Sequence, residues 1–255
     1  VGFEGDDGFN GGAGFDVVDF SAEDGDRGVV VDLPNGDGQD AFGFGDSFTS
    51  IEGIIGSDLA DVIVGDAEDN EITGGAGGDV LEGGDGVDTL RYDLEGGPLG
   101  VVVNFIDGFG RDSFDPVGGA GDIDTISGFE AAIGTAFADD FFGTAADETF
   151  TGLDGDDVFF TGDGDDLVLP GLGQDVIGDN VSAGSDTIEG TVLELDDDSL
   201  EGFSAEDRLR VLDADGAPIR AEMRIDALGD LAIDVDGDGV ADATMFVTDG
   251  YRGPV

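Results

Sequence analysis

The sequence predicts an all-β chain wound as a parallel solenoid and followed by a small β-rich C-terminal cap. Three observations predict it. Glycine-rich and strand-like segments alternate with a nine-residue period. A large apolar residue recurs at one fixed position of each unit. Above the nine lies a longer repeat of β-branched strands and turns.

The chain opens with two units, 2–10 GFEGDDGFN and 11–19 GGAGFDVVD, which place Asp7 and Asp16 sixth and Phe9 and Val18 eighth. A β-branched strand follows in 28–33 GVVVDL, then a second in 48–57 FTSIEGIIGS. The next run abuts without gaps: 56–64 GSDLADVIV, 65–73 GDAEDNEIT, 74–82 GGAGGDVLE and 83–91 GGDGVDTLR. Its sixth positions are Asp61, Asn70, Asp79 and Asp88, and its eighth Ile63, Ile72, Leu81 and Leu90. The two intervening strands then recur as 100–105 GVVVNF and 126–135 ISGFEAAIGT, at offsets of 72 and 78. From 134 a third run gives Asp139, Glu148, Asp157, Asp166 and Asp175, with Phe141, Phe150, Phe159, Val168 and Ile177. One more strand-like segment, Asp186-Thr187-Ile188, comes two residues late. Residue 1 falls inside a module, in phase, which predicts a longer array.

The unit reads G-G-x-G-x-D-x-U-x, where U is large and apolar. Its first half must turn sharply, and glycine enters positive φ without steric cost. Its second half alternates polar and apolar, as a half-buried strand does. Turn plus strand, repeated, winds a solenoid whose strands stack one coil apart. With two units per coil, residues 18 apart stack: Asp61 on Asp79, Asn70 on Asp88, Asp139 on Asp157 on Asp175, and Glu148 on Asp166. Carboxylates at a strand spacing of about 4.8 Å repel. A cation between coils reverses the sign. Carboxylates with the carbonyls of a flexible turn suit Ca²⁺, which takes 6–8 oxygen ligands, better than the stricter Mg²⁺.

These units resemble the RTX (repeats-in-toxin, hemolysin-type) calcium-binding nonapeptides, a known β-helix repeat. The resemblance implies a parallel β-roll with several Ca²⁺ ions between successive turns. It also implies type I secretion to the bacterial exterior or cell surface, with folding triggered by external calcium. Departures from the motif predict strong sites around Asp79, Asp88, Asp157, Asp166 and Asp175. Glycine is missing at several first or second positions (Thr161, Ser57, Thr135 and Thr144) and two ligand positions are altered, so sites at Asp61, Asn70, Asp139 and Glu148 are expected to be weak or absent.

Composition narrows the function. Asp plus Glu number 62 against 8 basic residues, all Arg, for a formal charge of −54. That charge repels nucleic acid and anionic membranes and attracts cations. His, Cys, Lys and Trp are absent. This removes His- and Cys-dependent nucleophiles, thiol redox chemistry, zinc fingers and lysine Schiff bases. No enzyme activity is expected. No stretch approaches the roughly 20 apolar residues of a membrane helix. No Sec-type signal is visible at the N-terminus. The 19 Phe are read as core filling.

Residues 1–190 are read as the calcium-binding roll and 191–255 as a β-rich cap or secretion-signal region. The latter holds five of the eight Arg and resembles the C-terminal regions of secreted RTX proteins. Within it, 234–242 DVDGDGVAD alternates Asp234, Asp236 and Asp238 around glycines and closes on Asp242. This matches the first half of an EF-hand loop. The twelfth position would be Met245, so a Ca²⁺ loop between two strands is expected rather than a full EF-hand. The functional expectation is a structural module of a surface layer, adhesin, filament or matrix. Copies of itself, neighbouring surface proteins or acidic polysaccharide are its candidate partners. The alternative is the C-terminal folding module of a secreted protease, lipase or polysaccharide epimerase.

Overall fold

The computed structural model describes residues 4–111, 123–178, 184–201, 207–225, 231–236 and 241–248. Regular structure among them is all β, and no helix is long and apolar enough to cross a membrane. The chain divides into two compact units, Val1–Ile133 and Gly134–Val255.

The first unit contains β1 (Gly8–Asn10), β2 (Val17–Asp19), β3 (Val30–Asp32), β4 (Asp37–Gln39), β5 (Gly45–Thr49), β6 (Gly53–Ile55), β7 (Val62–Val64), β8 (Glu71–Thr73), β9 (Val80–Glu82), β10 (Thr89–Arg91), β11 (Val102–Asn104), β12 (Phe109–Arg111), β13 (Ile123–Ser127) and β14 (Ala131–Ile133). One sheet runs in the order β1-β5-β4-β3-β7-β9-β13-β12-β11, the other β2-β6-β8-β10-β14. Most strands are three residues long because the next glycine turn follows at once. The middle residue is the buried one: Ile63, Ile72, Leu81 and Leu90 are all fully inaccessible. Successive strand residues face opposite sides, so U points inward while its neighbours face outward.

Register follows the nine-residue period. Ile63 pairs with Leu81 and Ile72 with Leu90, parallel and 18 residues apart. Ile51–Ile55 also continues the solenoid, through β6, which pairs parallel with β2 and β8. After Val101–Val103 the chain doubles back within the same sheet. β11 pairs antiparallel with β12, and β12 antiparallel with β13. The cause is a turn: Asn104 accepts from the Asp107 N–H through its side chain and from the Gly108 N–H through its carbonyl, at 2.8 and 3.0 Å. Such a side-chain-closed turn folds the strand back on itself. The same device, Asp32 accepting from the Asn35 N–H, folds β3 onto β4, and β4 pairs antiparallel with β5.

The second unit contains β15 (Asp140–Phe142), β16 (Thr149–Thr151), β17 (Val158–Phe160), β18 (Leu167–Leu169), β19 (Val176–Gly178), β20 (Thr187–Thr191), β21 (Ser199–Glu201), β22 (Arg208–Leu212), β23 (Glu222–Ile225), β24 (Leu231–Asp234) and β25 (Ala243–Thr248). Its sheets run β15-β17-β19-β21-β25-β24-β23 and β16-β18-β20-β22. Phe141, Phe150 and Phe159 are fully buried, and the rings of Phe141 and Phe159 stack at 5.0 Å. Phe142 and Phe160 lie one residue on, hence on the opposite face. They are half-buried against each other at 5.4 Å rather than in the core. After the last coils, β25 joins β21 in parallel, and β24 and β23 add an antiparallel ribbon. A folded-back ribbon of this kind stops a solenoid offering its strands for further parallel pairing.

Candidate metal centre: a ladder of buried carboxylates

Each D-x-U segment delivers its acid to the point where the glycine turn meets the strand. There the side chain turns toward the coil before it. The Asp61 N–H donates to Asp79 Oδ1, Asn70 N–H to Asp88 Oδ1, Asp139 N–H to Asp157 Oδ1, Glu148 N–H to Asp166 Oδ1 and Asp157 N–H to Asp175 Oδ1, each at 2.8 Å and each across 18 residues. Asp166 N–H continues to Asp186 Oδ1 at 3.1 Å, absorbing the two-residue slip. Asp61, Asp79, Asp88, Asp139, Asp157, Asp166, Asp175 and Asp186 are all buried. Asp7 and Asp16, in the opening coils, are half-buried.

The ladder runs beyond the nonapeptides. Asp7 N–H donates to Asp46, Asp16 N–H to Glu52, Asp79 N–H to Asp124, Asp88 N–H to Glu130, Asp175 N–H to Asp198 and Asp186 N–H to Asp207, at 2.9 to 3.1 Å. These six lie outside the nonapeptides because none closes a complete G-G-x-G-x-D half in register. Their signal is the second half alone. Asp46-Ser-Phe48, Glu52-Gly-Ile54, Asp124-Thr-Ile126, Glu130-Ala-Ala132, Asp198-Ser-Leu200 and Asp207-Arg-Leu209 all read acid-x-apolar.

The second carboxylate oxygen divides the rungs into two kinds. In the entry coils the protein satisfies it. Asp61 Oδ2 accepts from the Ser57 N–H at 2.6 Å and Asp139 Oδ2 from the Thr135 N–H at 2.6 Å, while the two hydroxyls donate to the Oδ1 atoms at 2.8 and 2.9 Å. Glu148 accepts from the Thr144 hydroxyl and N–H. In the glycine-rich coils Oδ2 of Asp88, Asp157, Asp166 and Asp175 is buried without a hydrogen-bond partner, as is Oδ2 of Asp198. A buried anionic oxygen with no donor is costly, and native proteins rarely leave one. Burial raises these carboxyls: Asp88 and Asp175 to about 6, Asp157, Asp166 and Asp198 to about 8. Neighbouring acids add to the rise, Asp139 and Asp175 around Asp157, and Asp186 and Glu148 around Asp166. Stacked anionic oxygens, dry and unpaired, make a donor set that fits a hard divalent cation.

A second acidic group lies between β24 and β25. Oxygens of Asp234, Asp236 and Asp242 come within 4.8 Å of one another, and Asp242 Oδ2 accepts from the Val235 N–H at 2.7 Å. Strands flank the loop. Asp234 is buried, the other two are exposed, and Asp238 lies outside the described residues.

Comparison with known families places the ladder in a class. The family described as RTX calcium-binding nonapeptide repeat (4 copies) matches residues 55–90 and again 142–177. These are the two runs whose rungs are spaced by 18. The chain carries RTX calcium-binding nonapeptide repeats, and such repeats bind several Ca²⁺ ions. Among solved structures, the chain is similar to the extracellular lipase LipA from Serratia marcescens, at 16% identity and a TM-score of 0.28. The similarity covers 78% of this chain and 38% of the lipase, so the chain spans well under half of that protein's length. No curated protein matches the chain.

Proposed function

We propose that this chain is an extracellular, calcium-folded structural module, exported by a type I machine and folded once it meets external Ca²⁺. The observation that supports it is the split between the two kinds of rung. Where Ser57, Thr135 or Thr144 reaches the carboxylate, the protein supplies its own donors. Where Gly84, Leu153, Gly162 or Gly171 stands instead, with no hydroxyl, the Oδ2 of Asp88, Asp157, Asp166 or Asp175 is buried and unpaired. On this reading Asp79, Asp88, Asp157, Asp166 and Asp175 hold Ca²⁺ between coils, with Asp186 continuing the column. Asp61 and Asp139 close their coils without metal, and Asp7 and Asp16 contribute at the half-buried opening coils. Asp234, Asp236 and Asp242, with Asp238 in the same loop, form a separate Ca²⁺ loop.

Calcium then acts twice. At the low free Ca²⁺ of a cell interior, repulsion within a chain of charge −54 opposes compaction, which leaves the polypeptide extended for export. Outside, the ion joins successive coils and binding free energy becomes folding free energy. A surface layer, adhesin, filament or matrix is the setting such a module suits, and copies of itself, neighbouring surface proteins or acidic polysaccharide are its candidate partners.

The test is the Asp157→Asn/Asp175→Asn double variant. Asparagine keeps the Oδ1 acceptor for the ladder and removes the charge. Calcium titration monitored by calorimetry is expected to show fewer ions bound and a melting transition lowered by several degrees in Ca²⁺. A variant that binds and melts like the parent would remove the ligand assignment.

A further inference from the structure

We infer that a further hard divalent cation, Ca²⁺ by its all-oxygen donor set, binds beside the turn from β4 to β5 on Glu23 and Asp46, two acids outside the nonapeptides. Three segments distant in sequence converge there: the start of β1, the loop after β2, and the turn from β4 to β5. Asp40 is 1% exposed, and its Oδ1 accepts from the N–H groups of Phe42 and Phe44 at 3.0 and 2.7 Å, which closes the turn. Asp46 is 5% exposed; its Oδ1 accepts from the Asp7 N–H at 2.9 Å, while its Oδ2 is buried with no hydrogen-bond partner. Glu23 Oε2 accepts from the Ala41 N–H at 3.1 Å, and its Oε1 is likewise buried with none. Asp7 and Asp40 stand close enough to act electrostatically on both Glu23 and Asp46. Arg27 lies over Gly43 and pairs with Asp26 at 3.6 Å.

The backbone thus serves one oxygen of each acid and leaves the other. Two buried, donor-free oxygens among four acids recreate the condition of the glycine-rich rungs. The fold arrives at it by another route, since Glu23 belongs to no D-x-U segment. A dication meeting both oxygens offsets the repulsion and the lost hydration together. Mg²⁺, which keeps its waters, fits such a crowded and partly dry setting less well.

The experiment counts Ca²⁺ per full-length chain by equilibrium dialysis at pH 7.5, comparing parent, Glu23→Gln and Glu23→Gln/Asp46→Asn. Both amides keep the oxygen that Ala41 and Asp7 donate to. The double variant is expected to bind one ion fewer while keeping the parent's circular dichroism at saturating Ca²⁺. If loss of Asp46 prevents folding, Glu23→Gln decides, because Glu23 is off the ladder: it must lose the same ion or weaken it at least tenfold. An unchanged count and affinity in Glu23→Gln overturns the inference. A parent that binds calcium beside an unchanged Glu23→Gln leaves the nonapeptide reading standing, whereas a parent that binds none removes both.

Discussion

Stripped of divalent cations, the chain is expected to hold β structure at pH 5 and to lose it as the pH rises past about 8. The cause lies in the buried carboxyls. Asp88 and Asp175 sit at about 6 in the folded chain, and Asp157, Asp166 and Asp198 at about 8, chiefly through burial. In the unfolded chain each returns to about 3.9. The folded state therefore binds these protons more tightly than the unfolded state does. Linkage then sets the sign: the stabilisation is fully present below the unfolded value and is lost as the pH climbs through 6 and then 8. Metal reverses this dependence. On the proposed ligand set, Ca²⁺ is expected to take the oxygens that the protons held, releasing protons and restoring the fold at alkaline pH. Far-UV circular dichroism from pH 5 to 9, on protein passed over a chelating resin and then with Ca²⁺ restored, checks both halves. Equal β content across that range without metal would mean that the buried oxygens are satisfied in another way.

Gly84→Ala is expected to be among the most damaging single substitutions in the first unit. Gly84 holds φ +123°, and an added Cβ would lie 2.1 Å from the carbonyl oxygen of Asp66, the equivalent residue one coil earlier. The atom it would meet is backbone, so no flexible side chain can yield. Positive φ costs an L residue about 1–2 kcal/mol, and forced overpacking about 1–3 more. The sum is a large share of the roughly 5–15 kcal/mol that holds a domain together. Gly12 is the control, because it holds φ +91° with nothing within 4 Å of its Cβ position. Gly12→Ala should therefore show the conformational cost alone, about 1–2 kcal/mol. Denaturation of both variants in saturating Ca²⁺ separates the two contributions; equal losses would show that coil contact sets no limit at position 84. Leu153 marks how far the rule bends, for it adopts φ +79° at the corresponding position of its unit with its side chain partly exposed.

Where a physical period governs the chain, the sequence was readable to the residue. The pairing of Ile63 with Leu81 and of Phe141 with Phe159 is the nine-residue period counted twice. The burial of Asp157 and Asp175 follows from their place next to the inward-facing apolar residue. In the entry coils the loss of glycine at Ser57 and Thr135 was visible, but not that these residues would donate to Asp61 and Asp139. The antiparallel excursions were not, since they hinge on single turns closed by Asp32 and Asn104 inside otherwise ordinary β-branched strands. The outer ladder acids escaped for the opposite reason: Asp124 and Asp198 share only half the motif, and their role depends on which strand lies beside them. The grouping around Glu23 and Asp46 depends on residues brought together by tertiary structure, and no local spacing announces it.

On the proposed function, Ca²⁺ rather than a hydrogen-bond donor of the protein completes the rungs at Asp88, Asp157, Asp166 and Asp175. The most direct measurement is far-UV circular dichroism of the metal-free chain at pH 8, titrated with CaCl₂ and in parallel with MgCl₂. The spectrum is expected to be coil-like, to turn to β between sub-millimolar and millimolar Ca²⁺, and to stay coil-like in Mg²⁺. A full β spectrum before any metal is added, or an equal response to Mg²⁺, would contradict that role of Ca²⁺.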